Sequence, residues 1–449
     1  MPTRAIAAVC GVNRPRSPCE SPLPPPPLVK SPLLFVFLTL LSSVITLAAD
    51  QPAGKKKKGG SNKAPGTSVK GEITGGLPPD ATTLQLGDRA PDFKLLGIDG
   101  KTHTLADYRA AKLLMVVFLS NHCPYSHASE TRLIPMAKEF KAQGVEVVAI
   151  NPNSPDSVRV DELGYSKYND GYEEMKLYAR DSGFPFPYLY DGDTQTTAKA
   201  YGCLATPHVF LFDQERKLRY VGRVDDSRFE DPKTVTSHDT RNAITELLAG
   251  QPVTKPKTIV MGCSTKWNTK RDDIAQAEDK WKSEPVNLEL IDAAGVAKLA
   301  KNDSNRLRLV NVWATWCAPC VAEFPELVSL ARRVGNRDFE MVTISMDDVK
   351  MRQQVKAFLE KQHVATPGRL KRLLAAEGRT ALNFLYTGAS TDELVKSLDP
   401  EWPGPLPHTV LIAPGGKIVW RHNGPVDPAT LRHKVIDLLG PFYTPEEKR

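Results

Sequence analysis

Apolar residues along this chain alternate between short unbroken runs and stretches with helical spacing, and the alternation occurs in two series. In the first series, residues 95–104 hold an Asp99-Gly100 pair between alternating positions, which predicts a hairpin. Residues 113–119 form a continuous apolar run, the mark of a strand buried on both faces. Leu133, Met136, Ala137 and Phe140 then recur at helical spacing, and residues 145–150 form a second strand run. A helix near 172–181, a strand pair at 206–212 and 217–221, and a helix near 238–248 complete this series. The second series repeats the order. A strand at 309–312 leads into a helix opened by Cys317, then come a strand at 340–345 and a helix near 349–361. A strand pair at 406–412 and 417–420 and a helix at 431–439 close it. Such alternation predicts the α/β class: two tandem domains, each a central mixed β-sheet with helices on both faces.

The flanks read differently. Residues 33–49 carry no charge, follow Lys30 and Pro32, and end in Ala48-Ala49. This pattern predicts a secretory signal spanning 1–49, and hence an exported protein, periplasmic or secreted. The alternative is an uncleaved membrane anchor at 33–49 that faces the domains to the periplasm, since the run is close to the minimum for a bilayer span. Residues 1–28 are Pro-rich, contain Cys10 and Cys19, and make an unusually long lead; a start at Val29 would leave a compact signal, so 1–28 is expected to be a misassigned extension. Residues 50–76, rich in Lys, Gly, Ser and Pro, predict a disordered tether. The first domain is then placed at 77–268, a charged linker helix at 269–284, and the second domain at 285–449.

A length of 449 residues exceeds a single core and suits two domains. The net charge of +7 falls to +4 once Arg4, Arg14, Arg16, Lys30 and Glu20 are set aside, and Lys55 to Lys58 lie in the tether. The folded parts are therefore close to neutral, which argues against a nucleic-acid surface. Acidic pairs at Asp225-Asp226 and Asp347-Asp348 read as solvated loop residues rather than metal ligands. His122, His127 and His208 read as polar neighbours of a thiol, and no metal site is expected.

The chemistry centres on Cys317-Ala318-Pro319-Cys320, placed directly after the second-series strand. Cys317 at a helix start meets unpaired backbone N–H groups and the positive end of the macrodipole, which favour its thiolate. Cys320, three residues on and on the same helix face, is within reach of a disulfide. Cys317 is thus the attacking sulfur and Cys320 the resolving one in thiol–disulfide exchange. No second Cys-x-x-Cys or His pair completes a zinc site, and Val321 stands where attachment of a c-type haem requires His. Trp313 and Trp316 are expected to pack around the disulfide as core aromatics. Without a cation between the cysteines, the couple is expected to be reducing.

The string Val-Trp-Ala-Thr-Trp-Cys-Ala-Pro-Cys-Val-Ala-Glu-Phe-Pro at 312–325, with Leu406-Pro407-His408-Thr409, resembles the TlpA/ResA branch of thioredoxin-fold thiol–disulfide oxidoreductases. The resemblance implies that Pro407 is a cis-proline beside the cysteines, and that Glu323 exchanges a proton with the resolving thiol. It implies protein disulfides as substrates, no organic cofactor, and a membrane thiol reductase as electron donor. Residues 77–268 resemble the redoxin (AhpC/TSA-like) relatives of peroxiredoxins through Ala90-Pro91-Asp92-Phe93, Asn121-His122-Cys123-Pro124-Tyr125-Ser126 and Thr206-Pro207-His208-Val209-Phe210. Peroxiredoxins carry a Pro seven residues before their reactive Cys, whereas Val116 stands there in this chain.

Cys123 remains open to three readings. It is a peroxidase thiol oxidised to sulfenic acid, a partner of Cys203 near the expected cis-Pro207, or an inert thiol in a binding domain. His122 beside it would lower its pKa. Cys263, in Gly262-Cys263-Ser264-Thr265-Lys266-Trp267, resembles a terminal signature of the redoxin relatives, without a derivable role. Fusion of the two domains suggests that Cys317/Cys320 relays electrons to Cys123. The leading expectation is a thiol–disulfide oxidoreductase; a thiol peroxidase centred on Cys123 and a non-enzymatic redox-sensing module are the alternatives.

Overall fold

The computed structural model of the chain describes residues 76–444; the expected extension, signal or anchor, nearly all of the tether, and the last five residues lie outside them. Among the described residues no helix is long and apolar enough to cross a membrane.

The first domain contains strands β1 (Lys94–Gly97), β2 (Thr102–Thr104), β3 (Leu113–Phe118), β4 (Val145–Asn151) and β5 (Tyr188–Tyr190). Strands β6 (Ala205–Thr206), β7 (His208–Phe212), β8 (Leu218–Gly222) and β9 (Cys263–Ser264) follow. Its helices are α1 (Pro124–Lys141), α2 (Tyr172–Ser182), α3 (Thr196–Tyr201) and α4 (Asp239–Leu248). Seven strands form one mixed sheet in the order β2-β1-β5-β4-β3-β7-β8, while β6 and β9 pair separately. Central strand β3 is fully buried and packs on both sides. Leu113, Met115 and Val117 meet α1, α2 and α4 through residues such as Leu133, Met175 and Ile244. Leu114, Val116 and Phe118 meet Tyr201 of α3 together with Phe93 and Trp267.

Helix α5 (Arg271–Lys282) joins this domain to the second. There the strands are β10 (Glu289–Ile291), β11 (Leu307–Trp313), β12 (Phe339–Ser345), β13 (Asn383–Tyr386), β14 (His408–Ile412) and β15 (Ile418–Asn423). The helices are α6 (Ala293–Lys301), α7 (Ala318–Arg333), α8 (Arg352–Lys361), α9 (Gly368–Ala376), α10 (Thr391–Leu398) and α11 (Pro428–Leu439). The sheet order is β10-β13-β12-β11-β14-β15. One core, around Leu309 and Trp313, takes α7, α8 and α11; the other, around Val310 and Val312, takes α6, α9 and α10. Both domains are thioredoxin-like α/β units with helices on both sheet faces.

The two sheets share a register that matters for the chemistry. Phe118 of β3 lies opposite His208 of β7, and Val312 of β11 lies opposite His408 of β14. Each of these histidines follows a cis-proline, Pro207 or Pro407.

Charges inside the cores are neutralised locally. Arg308 interrupts the apolar run of β11, yet it is buried and pairs with buried Glu340 on β12, which Arg306 and Arg379 also approach. Asp225 corrects the expectation of a solvated acidic pair: it is buried and takes Arg132 at 2.5 and 3.1 Å. A carboxylate that leaves water needs such a partner.

The domains meet where the end of α7 crosses residues 160–169. Arg333 is buried and donates to Asn169 Oδ1 at 2.6 Å, to the Ser166 carbonyl at 2.9 Å and to that of Tyr168 at 3.3 Å. Burial pulls its guanidinium pKa down to about 9, and nearby Arg432 adds to the effect. Arg337 donates to the Gly164 carbonyl at 3.0 Å. Tyr165 packs edge-on against Phe442 at 4.4 Å, and Lys167 pairs with Asp437 at 2.6 Å.

Gly164 lets the backbones touch, because a Cβ there would collide with the Arg333 carbonyl oxygen. Gly164→Ala is expected to cost about 1–3 kcal/mol through overpacking. Thermal and denaturant unfolding check this, and curves superimposable on the parent's would refute the close approach.

Candidate redox sites

In the second domain, β11 delivers the chain to a short loop and Cys317 becomes the N-cap of α7, with Pro319 in the first turn. Cys317 and Cys320 are joined in a disulfide with Cα atoms 5.3 Å apart. Cys317 keeps 6% of its surface exposed and Cys320 none, so the second sulfur lies deeper than the first. The loop is pinned by Asp347, which accepts the Thr315 N–H at 2.9 Å, the Thr315 hydroxyl at 2.5 Å and the Ser345 hydroxyl at 2.7 Å. Asp347 is thus buried and structural, against the expectation of a solvated pair. Trp313 is buried against Phe324 and Phe358, with centroids at 4.5 and 4.8 Å. Trp316 departs from the sequence reading: it is 70% exposed beside the disulfide rather than in the core.

Glu323 sits on α7 one turn beyond Cys320 and is buried. Its carboxylate accepts from Asn311 Nδ2 at 3.0 Å and from the Val426 N–H at 3.2 Å. Burial raises its pKa above the ordinary value, although these two donors oppose the rise. A buried carboxyl held in this way can take up or release a proton beside the resolving thiol. Pro407 is buried, and its carbonyl accepts the Gly424 N–H at 2.8 Å. His408 stacks on Trp402 at 4.6 Å, burial lowers its pKa, and Asn423 lies 2.7 Å from its Nδ1.

In the first domain, Cys123 is likewise the N-cap of its helix, α1, with Pro124 first. It follows Phe118 by five residues, as Cys317 follows Val312, so both sulfurs occupy the same place in the frame. Buried Ser126 stands where Cys320 stands in the other domain. Cys123 is fully buried, and its Sγ lies 2.9 Å from the carbonyl oxygen of Thr206, just before cis-Pro207.

His122 Nδ1 faces Asp170 Oδ2 at 2.5 Å, and both side chains are buried. Asp170 is further held by the Asn121 N–H at 2.7 Å and Asn153 Nδ2 at 2.9 Å. Burial opposes both charges, yet their attraction prevails, lowering the pKa of Asp170 and raising that of His122. Burial also works against a Cys123 thiolate. A hydrogen bond from the Cys263 thiol, the imidazolium of His122 and the Ser126 N–H overcome it, bringing Cys123 down to about 6.

Cys203 is not brought to Cys123. It is buried beneath β3, bonds the Ala205 carbonyl at 3.3 Å and lies 3.4 Å from Thr265 Oγ1, and burial pushes its thiol well up. The thiol beside Cys123 is that of Cys263, carried on β9, where it pairs with Thr206. His127 Nε2 lies 2.7 Å from the Asn121 carbonyl, and His208 is pushed down to about 3 by burial. Among the described residues no group of three His, Cys, Asp or Glu side chains could hold a metal ion.

The AhpC/TSA family model matches residues 86–221, and the Redoxin family model matches residues 289–436. The chain is a tandem of AhpC/TSA and redoxin domains. It is 28% identical over 142 residues to the thiol-disulfide oxidoreductase ResA of Geobacillus thermodenitrificans, covering 32% of this chain and 71% of that protein. A Mycobacterium tuberculosis protein named as a peroxiredoxin is 28% identical over 123 residues, 27% of this chain and 68% of its own. The solved structure of a hypothetical protein from Sinorhizobium meliloti 1021 is 36% identical, with a TM-score of 0.38, and covers 42% of this chain and 97% of that one. Cys317 and Cys320 lie inside the redoxin match and Cys123 inside the AhpC/TSA match, whereas Cys263 lies between the two.

The His122 charge is expected to hold the Cys123 thiolate in place. His122→Asn should move the Cys123 titration upward from about 6 by about one to three pH units, the usual effect of an adjacent opposite charge. Thiolate ultraviolet absorbance, taken as a difference against Cys123→Ser, measures it; an unmoved midpoint would assign the effect elsewhere.

Proposed function

We propose that the protein is an exported thiol–disulfide oxidoreductase that uses Cys317 and Cys320 to reduce or exchange disulfides of other proteins. The observation that carries this reading is the disulfide at the α7 N-terminus, with its first cysteine 6% exposed and its second fully buried. In the reduced form the helix end favours the Cys317 thiolate, which attacks a target disulfide and forms a mixed disulfide. Cys320 then attacks Cys317 Sγ, releasing the reduced target and closing the Cys317–Cys320 bond. Glu323 is the buried base positioned to accept the Cys320 proton. The backbone before Pro407 offers an incoming extended segment a strand to pair with. A membrane thiol reductase would return the couple to its dithiol form, since exported proteins meet an oxidising medium. Export rests on the apolar run at 33–49.

A relay to Cys123 belongs to the same reading, with a geometric condition. Arg333 at the end of α7 holds Asn169, which accepts from Asn121 Nδ2 at 2.6 Å through its carbonyl, two residues before Cys123. Cys317 stands at the other end of that helix, about 24 Å away along an axis rising 1.5 Å per residue. Exchange requires the sulfurs to touch, and with Cys317 at the far end of α7 from the contact near Cys123, the relay we propose runs between two chains.

Cys320→Ser is expected to accumulate mixed disulfides with target proteins, visible on non-reducing gels, and Cys317→Ser to form none. Glu323→Gln should slow release of the mixed disulfide by roughly ten- to a hundredfold while leaving its formation unchanged. If Cys317→Ser still captures targets, the proposed attacker is wrong. For the relay, mixing Cys317→Ser/Cys320→Ser protein with Cys123→Ser protein should restore reduction of oxidised Cys123 in the first, at a rate that rises with total concentration. Failure of that mixture to reduce Cys123 would reject exchange between chains.

A further inference from the structure

We propose that Cys263 is the resolving partner of Cys123, so that the first domain carries a second dithiol/disulfide couple assembled from α1 and β9. The two thiols come from segments 140 residues apart, and the fold places them together. Strand β9 pairs antiparallel with β6, setting Cys263 against Thr206, the residue whose carbonyl oxygen lies 2.9 Å from Cys123 Sγ. Gly262 permits the approach, because a Cβ at that position would collide with the Thr206 carbonyl and crowd Pro207. The segment is anchored on its far side as well. The Lys266 carbonyl accepts from Ser154 N–H at 3.0 Å and from Gln195 Nε2 at 2.8 Å, and Trp267 is buried in the core.

The two sulfurs differ in charge as an attacking and a resolving thiol should. Burial and the hydrogen bond to Cys123 keep Cys263 protonated, while the same bond and His122 favour the Cys123 thiolate. The surroundings select the oxidant. Cys123 has no exposed surface while Cys263 is partly exposed, so the site favours a small oxidant such as a hydroperoxide at Cys123 and leaves Cys263 as the sulfur that a second protein meets. A cavity of about 250 Å³, lined by Pro124, His127, Tyr165, Arg228, Phe442 and Tyr443, opens beside the first residue of α1. This proposal rests on Cys123 being reactive and does not depend on the Cys317/Cys320 assignment.

The Cys123 thiolate attacks one oxygen of a hydroperoxide; an S–O bond forms, the O–O bond breaks, and the departing alkoxide or hydroxide takes a proton from water. Cys123 is now a sulfenic acid, oxidised by two electrons. The Cys263 sulfur attacks it, an S–S bond forms, and the S–O bond breaks. Hydroxide leaves with the Cys263 proton as water. A dithiol, such as the reduced Cys317/Cys320 pair of a second chain, then attacks the partly exposed Cys263 sulfur and releases the Cys123 thiolate; its second thiol displaces Cys263 and closes the dithiol's own disulfide.

The test uses the full chain, fully reduced and treated with equimolar hydrogen peroxide, then blocked at acid pH, digested and mapped by mass spectrometry. A peptide pair joined through Cys123 and Cys263 is expected. Cys263→Ser should lose that pair and gain sulfenic acid on Cys123, trapped with a dione reagent, and Cys203→Ser should keep the pair. A link from Cys123 to Cys203, a persistent sulfenic acid in the unmodified chain, or an unoxidised Cys123 with the Cys317/Cys320 pair still reduced would each overturn the proposal. The wild-type map alone decides the point if a variant fails to fold. The Cys317–Cys320 linkage is read in the same digest, so failure at one couple is told apart from failure at the other.

Discussion

The chemistry of this chain depends on one constraint: a buried strand must end where a helix begins, with a sulfur at the junction. The unpaired N–H groups of a first helical turn lower the cost of negative charge there. Strands β3 and β11 both meet this condition and both lie next to an antiparallel strand that starts after a cis-proline. The sheets are therefore more than supports, because their register decides which backbone faces each sulfur. The helices on the two faces then need only to bury the strands, which leaves the loop at the junction free to carry chemistry.

Within that shared frame the two domains recruit a second sulfur from different directions. In the redoxin domain it comes from the same helix, one turn on, as Cys320. In the AhpC/TSA domain Ser126 fills that place, and the nearby thiol arrives on β9, a strand of two residues. The electrostatics differ accordingly. A buried ion pair, His122 with Asp170, stands beside Cys123, whereas Cys317 has an exposed indole beside it and a buried carboxyl one turn beyond its partner. One sulfur is fully enclosed beside a buried ion pair, and the other keeps a small exposed fraction beside an exposed indole.

Much of the frame was legible in the chain. The runs around Val116 and Val310 are long and apolar enough to announce central strands, and the helices that cover them keep their spacing. The shorter elements were not. Strands β5, β9 and β10 hold three residues or fewer, and a pattern that brief has no period to detect. Helices α3, α6, α9 and α10 fell in stretches whose apolar positions did not stand out against their surroundings. At the sites, Cys317 and Cys320 declared themselves through contiguity. Cys263 could not, because its nearness to Cys123 is created by a chain return that only tertiary packing specifies. Asp225 and Asp347 misled for a related reason: acidic residues after strands are commonly in water, and here Arg132 and Thr315 draw them inside. Trp316 misled in the opposite sense, since an aromatic flanking a cysteine gives no sign of which way it turns.

The Arg333 contact carries a consequence for modularity. That guanidinium belongs to the redoxin domain, but the amide it grips, Asn169, adjoins the aspartate paired with His122. The carboxy-terminal half thus supplies part of the wall around the amino-terminal thiol. Severing the halves would leave Ser166, Tyr168 and Asn169 facing solvent in place of a cation. The halves are therefore coupled at this contact: a second half lacking this arginine would leave residues 166, 168 and 169 without those bonds.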